Sequence, residues 1–290
     1  MKIGLQLHPH IRKSKKALKE ILQFLIDQGQ ELYISQKAAQ HYKPLIKNIN
    51  YTSVEECVGI IDVMLCIGGD GTFLGGLRRI RGTDIPILGI HLGGLGFLAD
   101  LSLEDYQSKL RALFEGNYEI DERYSLEAET YPAVNDKKYR ATNEFHIAKG
   151  NVMSMIKIKI FVDDEYLNTY RADGLLVSSP TGSTAYGLSA GGPIISPGLD
   201  IMAISPICPH SLSARPVIIS GEQEVKIDCS KFKQDESLVI DGTERVSLKS
   251  VEDVIVRRSD ETFKIIRFKE ESFFKTLRKK LNWGIDSRGN

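Results

Sequence analysis

Residues 62–77 read DVMLCIGGDGTFLGGL, and this stretch decides the fold class of the first part of the chain. An apolar run leads into glycines that surround a single aspartate, and a second apolar segment follows. A strand that enters a glycine loop and then a helix turns backbone N–H groups and a positive helix end towards an anion. We predict a helix beginning near Phe73 and a phosphate-binding loop made of Gly68, Gly69, Gly71 and Thr72.

Asp70 does not fit a pure anion-binding loop, because a carboxylate beside phosphates is repelled. Its residue type allows three roles: a ligand for the magnesium that accompanies a nucleoside triphosphate, a base for an attacking hydroxyl, or a structural turn and helix-start residue. The loop alone leaves these three open. It matches neither G-x-G-x-x-G nor the Walker loop, which argues against an ordinary dehydrogenase or P-loop nucleotidase.

Short apolar runs on both sides of the loop predict further strands: KIGLQL, ELYIS and IPILGIHLG. Between the first two, residues 14–28 carry apolar side chains at helical spacing, and Gly29 follows as a stop. Strands that alternate with helices predict a parallel sheet covered by helices, with ligands beyond the carboxyl ends of the strands.

The pattern changes after about Ile120 to short alternating runs separated by turn residues. VDDEY and VIDGTERV are typical of hairpins, the second bending at Asp241 and Gly242. This half is therefore predicted to be mostly β. The tail SFFKTLRKKLNWG predicts a helix that docks through Phe274, Leu277 and Leu281, with its basic residues, Arg278 to Lys280, on a solvated face.

The bulk composition is that of an ordinary globular protein. The 290 residues include 38 Lys and Arg against 38 Asp and Glu, so nothing in the net charge indicates nucleic-acid binding. The four cysteines have no metal-ligand spacing and fit a reducing compartment. No segment approaches the roughly 20 apolar residues of a membrane helix. We expect a soluble cytoplasmic protein without membrane or nucleic-acid partners.

Two stretches of the second half have the residue types of a nucleotide site. NEFHIAKG places an amide and a carboxylate, Asn143 and Glu144, before an apolar run, where they can bind base or ribose groups. The alternative for Asn143 is a turn cap. RADGLLVSSPTGSTAYGLSAGGPIISPG combines Asp173 with many small hydroxyl side chains, and Tyr186 can stack on a base.

GGDGT, NE, DGLLVSSPTGSTAYGLSAGGP and ICPHSLSARP, in this order, resemble the NAD kinases, especially the bacterial ones. The resemblance implies a fold of class α/β plus β. Its first part is a Rossmann-like α/β domain that holds the phosphate donor, residues 1–120 with a C-terminal helix at about 269–290. Residues 121–268 then form a β-rich, β-sandwich-like domain that binds NAD.

The resemblance also implies the reaction: transfer of the γ-phosphoryl group of ATP, or of polyphosphate, to the 2′-hydroxyl of the adenosine ribose of NAD. Asp70 is then the general base, and the glycine loop holds phosphates bridged by Mg²⁺ or another divalent ion. That ion is expected to be held mainly by phosphate oxygens and water, so no side chain is predicted as a metal ligand. Members are homodimers or homotetramers.

By the same resemblance, Asn143 and Glu144 bind the adenine and ribose side of NAD and Asp173 the nicotinamide end. The predicted NAD-binding residues are Asn143, Glu144, Arg171, Asp173, Thr181, Thr184, Ala185, Tyr186 and Ser189. His91, in the second glycine-rich loop GIHLGGLGFLAD, can be a phosphate donor or a structural histidine, and the structural interpretation is favoured.

Three rivals differ in class. A lipid or sugar kinase of the same superfamily is disfavoured by PTGSTAY and by the lack of an amphipathic membrane-binding segment. A non-catalytic NAD(P) sensor is disfavoured by the presence of Asp70. An oxidoreductase is disfavoured because KIGLQLHPHIRKS lacks G-x-G-x-x-G after the first strand.

Overall fold

The computed structural model describes residues 1–8, 15–35, 50–52, 54–94, 96–99, 101–134, 137–151, 154–232, 235–269 and 272–283. The helices are α1 (Lys15–Asp27), α2 (Val54–Val58), α3 (Asp70–Ile80), α4 (Tyr106–Phe114), α5 (Tyr186–Ser189) and α6 (Phe273–Leu281). A short 3₁₀ turn covers Thr181–Thr184.

The strands of the first part are β1 (Lys2–Leu7), β2 (Glu31–Ser35), β3 (Asn50–Thr52), β4 (Val63–Ile67), β5 (Ile87–Ile90) and β6 (Glu119–Tyr131). Those that follow are β7 (Tyr139–Ala141), β8 (Glu144–Ala148), β9 (Ile156–Val162), β10 (Glu165–Ala172), β11 (Gly174–Ser178) and β12 (Ile201–Ile207). The last are β13 (Val217–Ser220), β14 (Val225–Asp228), β15 (Ser237–Ile240), β16 (Glu244–Ser247) and β17 (Asp253–Arg267).

The chain divides into two compact units, Met1–Glu122 with Phe263–Asn290, and Arg123–Thr262. The second boundary therefore lies inside β17, whereas the sequence places it at 268/269. The reason is that Ile265 pairs with Ile87 of β5, and Ile266 and Phe268 lie in the core of the first unit. Residues 270–271 and 284–290 of the predicted C-terminal segment lie outside the described residues.

The first unit has a parallel sheet in the order β5-β4-β1-β2-β3. Alternate residues of β4 enter two apolar clusters: Val63, Leu65 and Ile67 lie in one with residues of α1 and α4, and Met64 and Cys66 lie in the other with residues of α3. Alternation of this kind places helices on both faces of the sheet. The predicted Rossmann-like α/β domain is confirmed.

Helix α3 begins at Asp70, so the prediction of a start near Phe73 is wrong. Gly69 has the extended backbone of a residue before a helix, and the N–H groups of Thr72 and Phe73 already donate to its carbonyl oxygen. An acidic residue in the first turn is stabilised by the positive end of the helix. The glycine loop is therefore shorter than GGDGT, and its last three residues are helical.

The second unit contains two antiparallel sheets. One has the order β10-β9-β14-β17, and the other has the order β13-β12-β11-β8-β15-β16. Side chains of β9 and of β11, such as Ile158 and Val177, belong to one buried cluster. A core shared by two sheets is that of a sandwich, so the predicted β-rich, β-sandwich-like domain is confirmed.

Both predicted hairpins are present. Asp163 and Asp164 connect β9 to β10, and Asp241 and Gly242 lie between β15 and β16. All four residues have positive φ angles, between 45° and 65°. Such backbone is what a tight hairpin turn requires, and Asp and Gly tolerate it.

The predicted tail helix is α6, but its docking pattern differs from the prediction. Leu277 is buried at 3% exposure, whereas Phe274 is 60% exposed and its ring packs edge-on against the ring of Phe273. Phe274 is therefore not a docking residue. Among the described residues, no helix has the length and apolar character that crossing a membrane requires.

Candidate active site

The carboxylate of Asp70 is fixed by the backbone of the second glycine-rich loop. Its Oδ1 accepts hydrogen bonds from the N–H groups of Leu98 (3.0 Å) and Ala99 (3.1 Å), and its Oδ2 accepts one from Phe97 (3.0 Å). About one third of the side chain remains exposed. Hydrogen bonds to a charged group contribute roughly 1.5–3 kcal/mol each, so this carboxylate joins the two glycine loops firmly and still faces solvent.

Gly96 allows this close approach. A Cβ atom at Gly96 would lie 2.1 Å from Asp70 Oδ1 and 2.8 Å from the carbonyl oxygen of Ala99. Neither distance is possible for real atoms. The glycine is therefore required by the carboxylate that packs against it.

The predicted phosphate-binding residues lie at the start of α3. Gly69 and Gly71 are exposed, with open space where a Cβ would stand. Gly68 and Thr72 are buried, and a Cβ at Gly68 would clash with Thr72 Oγ1 at 2.3 Å. That hydroxyl oxygen has no hydrogen-bond partner among the described residues. The first N–H groups of a helix lack partners within it, so exposed backbone donors and a free hydroxyl occur side by side here.

Lys280 of α6 also reaches Asp70. Its Nζ lies 3.5 Å from Asp70 Oδ2 and 4.5 Å from the centroid of the Phe97 ring. Lys280 is exposed, in agreement with the predicted solvated face, and it also forms this ion pair, which the sequence did not predict. Sequence alone could not find this contact, because α6 is far from the glycine loop in the chain and carries three adjacent cations.

His91 follows β5 and is buried at 8% exposure. Its Nδ1 lies 2.8 Å from the carbonyl oxygen of Gly93, and its Nε2 has no partner among the described residues. The first contact supports the structural interpretation of His91, since it fixes the turn that begins the second glycine-rich loop.

In the second unit, Asn143 lies in the tight turn between β7 and β8, and Glu144 is the first residue of β8. The backbone N–H groups of Thr142, Asn143 and Glu144 all donate to the carboxylate of Asp241, at 3.0, 2.7 and 3.3 Å. From the other side, the N–H of Ser179 donates to the carbonyl oxygen of Asn143. The turn is therefore fixed through its backbone groups by Asp241 and Ser179, and not by the side chains of Asn143 and Glu144.

Three polar side-chain atoms around this turn are buried and have no partner within the described part of the chain: Asn143 Oδ1, Glu144 Oε2 and Ser178 Oγ. Ser178 is directly opposite Glu144 in the pairing of β11 with β8. A buried polar atom that lacks a partner costs roughly 1–3 kcal/mol. Such a group of atoms is typical of a site that a polar ligand completes.

The surroundings of Glu144 favour its protonated form near neutral pH. Burial, and secondly the nearby charge of Asp241, raise its pKa to about 8, against a small lowering by the backbone N–H of Tyr186. A neutral carboxyl group can both donate and accept a hydrogen bond. Glu144 is therefore suited to hydroxyl or amine groups of a ligand.

Thr181, Thr184, Ala185 and Tyr186 follow the end of β11 in a compact turn. The N–H of Ala185 donates to the carbonyl oxygen of Gly182, and Thr184 Oγ1 donates to that of Thr181. A Cβ at Gly182 would lie 2.1 Å from the carbonyl oxygen of Asn143. This segment therefore packs directly on the Asn143 turn, so the structure brings these predicted residues together.

Tyr186 is 41% exposed, and its ring meets the ring of His146 edge-on at 5.4 Å between centroids. Burial lowers the pKa of His146 to about 4, with a further contribution from the charge of Arg245. The imidazole is therefore neutral at physiological pH. Tyr186 thus has an aromatic support and an open face, while Ser189 is exposed at the end of α5.

Asp173 and Arg171 lie near the other end of β11. Asp173 forms an ion pair with Lys149, with Nζ to Oδ1 at 2.7 Å, and about a third of its side chain is exposed. Arg171 is exposed, and its carbonyl oxygen accepts a hydrogen bond from the N–H of His210. Asp173 lies beside Gly174, which is paired with Ala148 of β8, whereas Asn143 precedes the opposite end of β8.

Among the described residues, no group of three His, Cys, Asp or Glu side chains has metal-binding geometry. Both oxygens of Asp70 already accept hydrogen bonds. Mg²⁺ commonly keeps several waters and binds through substrate phosphates rather than through an all-protein cage. An ion bound in that way requires few protein ligands.

Several supporting residues were missed from the sequence: Gly96, Phe97, Ser178, Asp241 and Lys280. Asp241 was interpreted as a turn residue, which is correct, but its carboxylate also holds the Asn143 turn. The signal for Gly96 and Phe97 was present in GGLGF, whereas nothing local marks Ser178 or Lys280.

Two protein-family models match the chain. The model for the ATP-NAD kinase N-terminal domain matches residues 3–118, and that for the ATP-NAD kinase C-terminal domain matches residues 142–268. The NAD kinase of Clostridium botulinum (strain ATCC 19397 / Type A) is 41% identical over 223 residues, 77% of this chain and 79% of that protein. The NAD kinase of Christiangramia forsetii is 36% identical over 99% of this chain and 100% of its own length.

Two solved structures are similar to the chain. The crystal structure of an NAD kinase from Archaeoglobus fulgidus in complex with ATP has a TM-score of 0.76 at 25% identity, covering 97% of this chain and 99% of that one. The crystal structure of yeast NADH kinase complexed with NADH has a TM-score of 0.88 at 24% identity, covering 100% and 90%. At that identity the second likeness is evidence for the fold.

Proposed function

The chain belongs to the ATP-NAD kinase family, and on that premise we propose that it transfers the γ-phosphoryl group of ATP to the 2′-hydroxyl of the adenosine ribose of NAD, giving NADP and ADP. The observation that carries the chemistry is the setting of Asp70. Asp70 is the first residue of α3. Its carboxylate accepts hydrogen bonds from three backbone N–H groups of the second glycine-rich loop, and one third of the side chain is still exposed.

In this proposal the first unit binds the donor and supplies the base. The backbone N–H groups of Gly69 and Gly71 and the hydroxyl of Thr72 bind phosphate oxygens, and Gly68 provides the space into which Thr72 packs. Asp70 accepts the proton of the attacking 2′-hydroxyl on Oδ2, the oxygen with fewer backbone partners. Phosphoryl transfer depends mostly on alignment and charge, so the rigid setting of Asp70 matters as much as its basicity.

The second unit binds NAD in this proposal. The amide oxygen of Asn143 accepts hydrogen bonds from adenine or ribose groups, and the carboxyl group of Glu144 donates or accepts them. Tyr186 offers an aromatic face for the adenosine, and the neighbouring residues Thr181, Thr184, Ala185 and Ser189 complete that surface. Asp173 and Arg171 bind towards the nicotinamide end, where the ion pair of Asp173 with Lys149 supports a polar contact.

Mg²⁺, or another divalent ion, accompanies the donor and neutralises phosphate charge when bound. We further propose that the protein works in the cytoplasm as a homodimer or homotetramer. Its four cysteines are unpaired, which supports a reducing compartment. Light scattering of the purified protein gives the mass of the assembly and decides its oligomeric state.

The test is a coupled assay of the purified protein with NAD, ATP and Mg²⁺, in which an NADP-specific dehydrogenase reports the product. NADP formed from ATP supports the proposal, and a parallel reaction with polyphosphate determines the donor range. If the protein binds NAD but forms no NADP from either donor, it is a sensor or acts on another acceptor.

A further inference from the structure

Lys280 and Asp70 form a pair that the proposed reaction does not yet explain. Lys280 Nζ lies 3.5 Å from Asp70 Oδ2, the oxygen that the reaction needs as proton acceptor. Among the described residues, no other cation lies within 4 Å of this carboxylate. Lys280 is therefore placed where it affects the base directly.

The acceptor capacity of Asp70 is almost used up. A carboxylate has about four lone-pair positions over its two oxygens. Leu98 and Ala99 fill those of Oδ1, and Phe97 fills one of Oδ2. The remaining position on Oδ2 is the one that Lys280 faces, so an attacking hydroxyl must compete with Lys280 for it.

The contact of Lys280 is also loose. At 3.5 Å it exceeds the 2.7–2.9 Å of a good charge-assisted hydrogen bond. Both side chains are 32% exposed, and the ammonium rests over the ring of Phe97 at 4.5 Å from its centroid. Exposed ion pairs of this kind contribute little to stability. The ammonium can therefore leave Oδ2 at little cost and has donors left for an anion.

We propose that Lys280 is a phosphate-binding residue whose ammonium moves from Asp70 Oδ2 to the phosphate oxygens of the donor. This movement would free Oδ2 for the hydroxyl proton and supply positive charge beside a carboxylate that otherwise repels phosphate. The inference rests on the proposed kinase function, since it names a donor-binding residue for that reaction.

The test compares Lys280→Met, which keeps an unbranched side chain and removes the charge, with Lys280→Arg, which keeps the charge. The matched control is Lys279→Met, an exposed neighbour on the same helix. We expect Lys280→Met to lower kcat/KM for ATP about 10- to 100-fold, the range for a lost hydrogen bond to a charged group. The KM for NAD should not change. Lys280→Arg should recover most of the loss, and Lys279→Met should behave as wild type.

A titration of each protein with Mg²⁺ and adenosine 5′-(β,γ-imido)triphosphate measures donor binding without turnover. Weaker binding by Lys280→Met, with a smaller dependence on salt than the wild type shows, supports the proposal. Equal binding and equal kinetics overturn it. A lowered midpoint of thermal unfolding, with both KM values altered and no recovery in Lys280→Arg, assigns Lys280 a structural role and also overturns it.

The two proposals can fail separately. If wild-type protein forms no NADP, the kinase proposal fails, and the titration with the ATP analogue still decides whether Lys280 binds phosphate.

Discussion

At the scale of single residues, Asp70 combines a structural role with a chemical one. Its carboxylate accepts hydrogen bonds from the backbone N–H groups of three consecutive residues, Phe97 to Ala99, and its Oδ2 faces Lys280. The sequence left magnesium binding, proton transfer and a turn role open. The hydrogen bonds establish that Asp70 connects two loops, and a substitution is needed to separate this role from proton transfer.

Asp70→Asn should lower turnover by about 10²–10⁴-fold, the usual contribution of a positioned base, while NAD binding persists. An amide offers one acceptor oxygen, so one of the three N–H groups loses its partner and stability falls by roughly 1–3 kcal/mol. Steady-state kinetics and NAD titration measure these effects. Asp62→Asn is the control, because Asp62 accepts the N–H of Lys2 at an exposed site of the same unit. Unchanged turnover in Asp70→Asn would leave Asp70 a structural residue.

Glu144 gives the folded protein a pH dependence. Its pKa is about 8 in the folded state, against 4.5 for an ordinary glutamate, so between these values the folded state holds a proton that the unfolded state has lost. The free energy of unfolding therefore falls as pH rises from about 4.5 to 8 and is level above, by at most about 5 kcal/mol from this group.

Glu144→Gln should remove that part of the pH dependence. Denaturant unfolding from acidic to alkaline pH should show the wild type losing stability relative to the variant as pH rises through this window. The exposed Glu222→Gln serves as the control, with a profile parallel to the wild type. Parallel profiles for Glu144→Gln would mean that Glu144 is ionised in the folded protein at neutral pH.

At the scale of elements, the second glycine-rich loop acts as a partner for the first turn of α3. Gly96→Ala should move Asp70, because the new Cβ would lie 2.1 Å from Oδ1. A shift of the carboxylate by about 1 Å, as needed to relieve this overlap, costs on the order of 10²-fold in rate. Gly93→Ala, in the same loop with nothing within 4 Å of a Cβ, should keep wild-type turnover. Kinetics of the two variants side by side decide this, and an active Gly96→Ala would show that the contact between loop and carboxylate is dispensable.

The hairpin of β15 and β16 has a second role through Asp241. In Asp241→Asn, one of the N–H groups of residues 142–144 loses its acceptor, so the turn loosens and the KM for NAD should rise by about tenfold. The pKa of Glu144 should fall as well, since the charge of Asp241 raises it. Asp163→Asn, in the equivalent β9–β10 turn, is the matched control and should leave the KM for NAD unchanged. Equal KM values in all three proteins would limit Asp241 to the turn itself.

At the scale of the whole molecule, the fold followed from local patterns. Short segments of sequence were enough to predict the strands and helices from their hydrophobic periodicity. The glycine loop and the two Asp-containing turns were also predicted from their own residues. The boundary inside β17 did not follow, because one continuous strand serves both units. The start of α3 was misplaced because glycines rarely suggest a helix, although here Gly71, Gly75 and Gly76 are helical.

Site residues whose chemical type stands out in the sequence were predicted. Residues that belong to the candidate site only because the fold places them there were missed. Asp70, Asn143 and Glu144 are visible as polar residues in apolar or glycine-rich settings. Lys280, Ser178 and Asp241 depend on pairing between segments far apart in the chain, which no local pattern records. Phe274 was wrongly predicted to dock, because helical spacing alone does not show what covers a helix face. It is exposed in the structure.

The most direct test of the kinase proposal follows the phosphoryl group itself. Purified protein is incubated with NAD and ATP labelled in the γ-phosphate, and the dinucleotide product is separated and its labelled position identified. We predict label on the 2′-oxygen of the adenosine ribose, and none when that hydroxyl is replaced by hydrogen. An unlabelled dinucleotide, or label retained with the 2′-deoxy analogue, would contradict the proposed reaction.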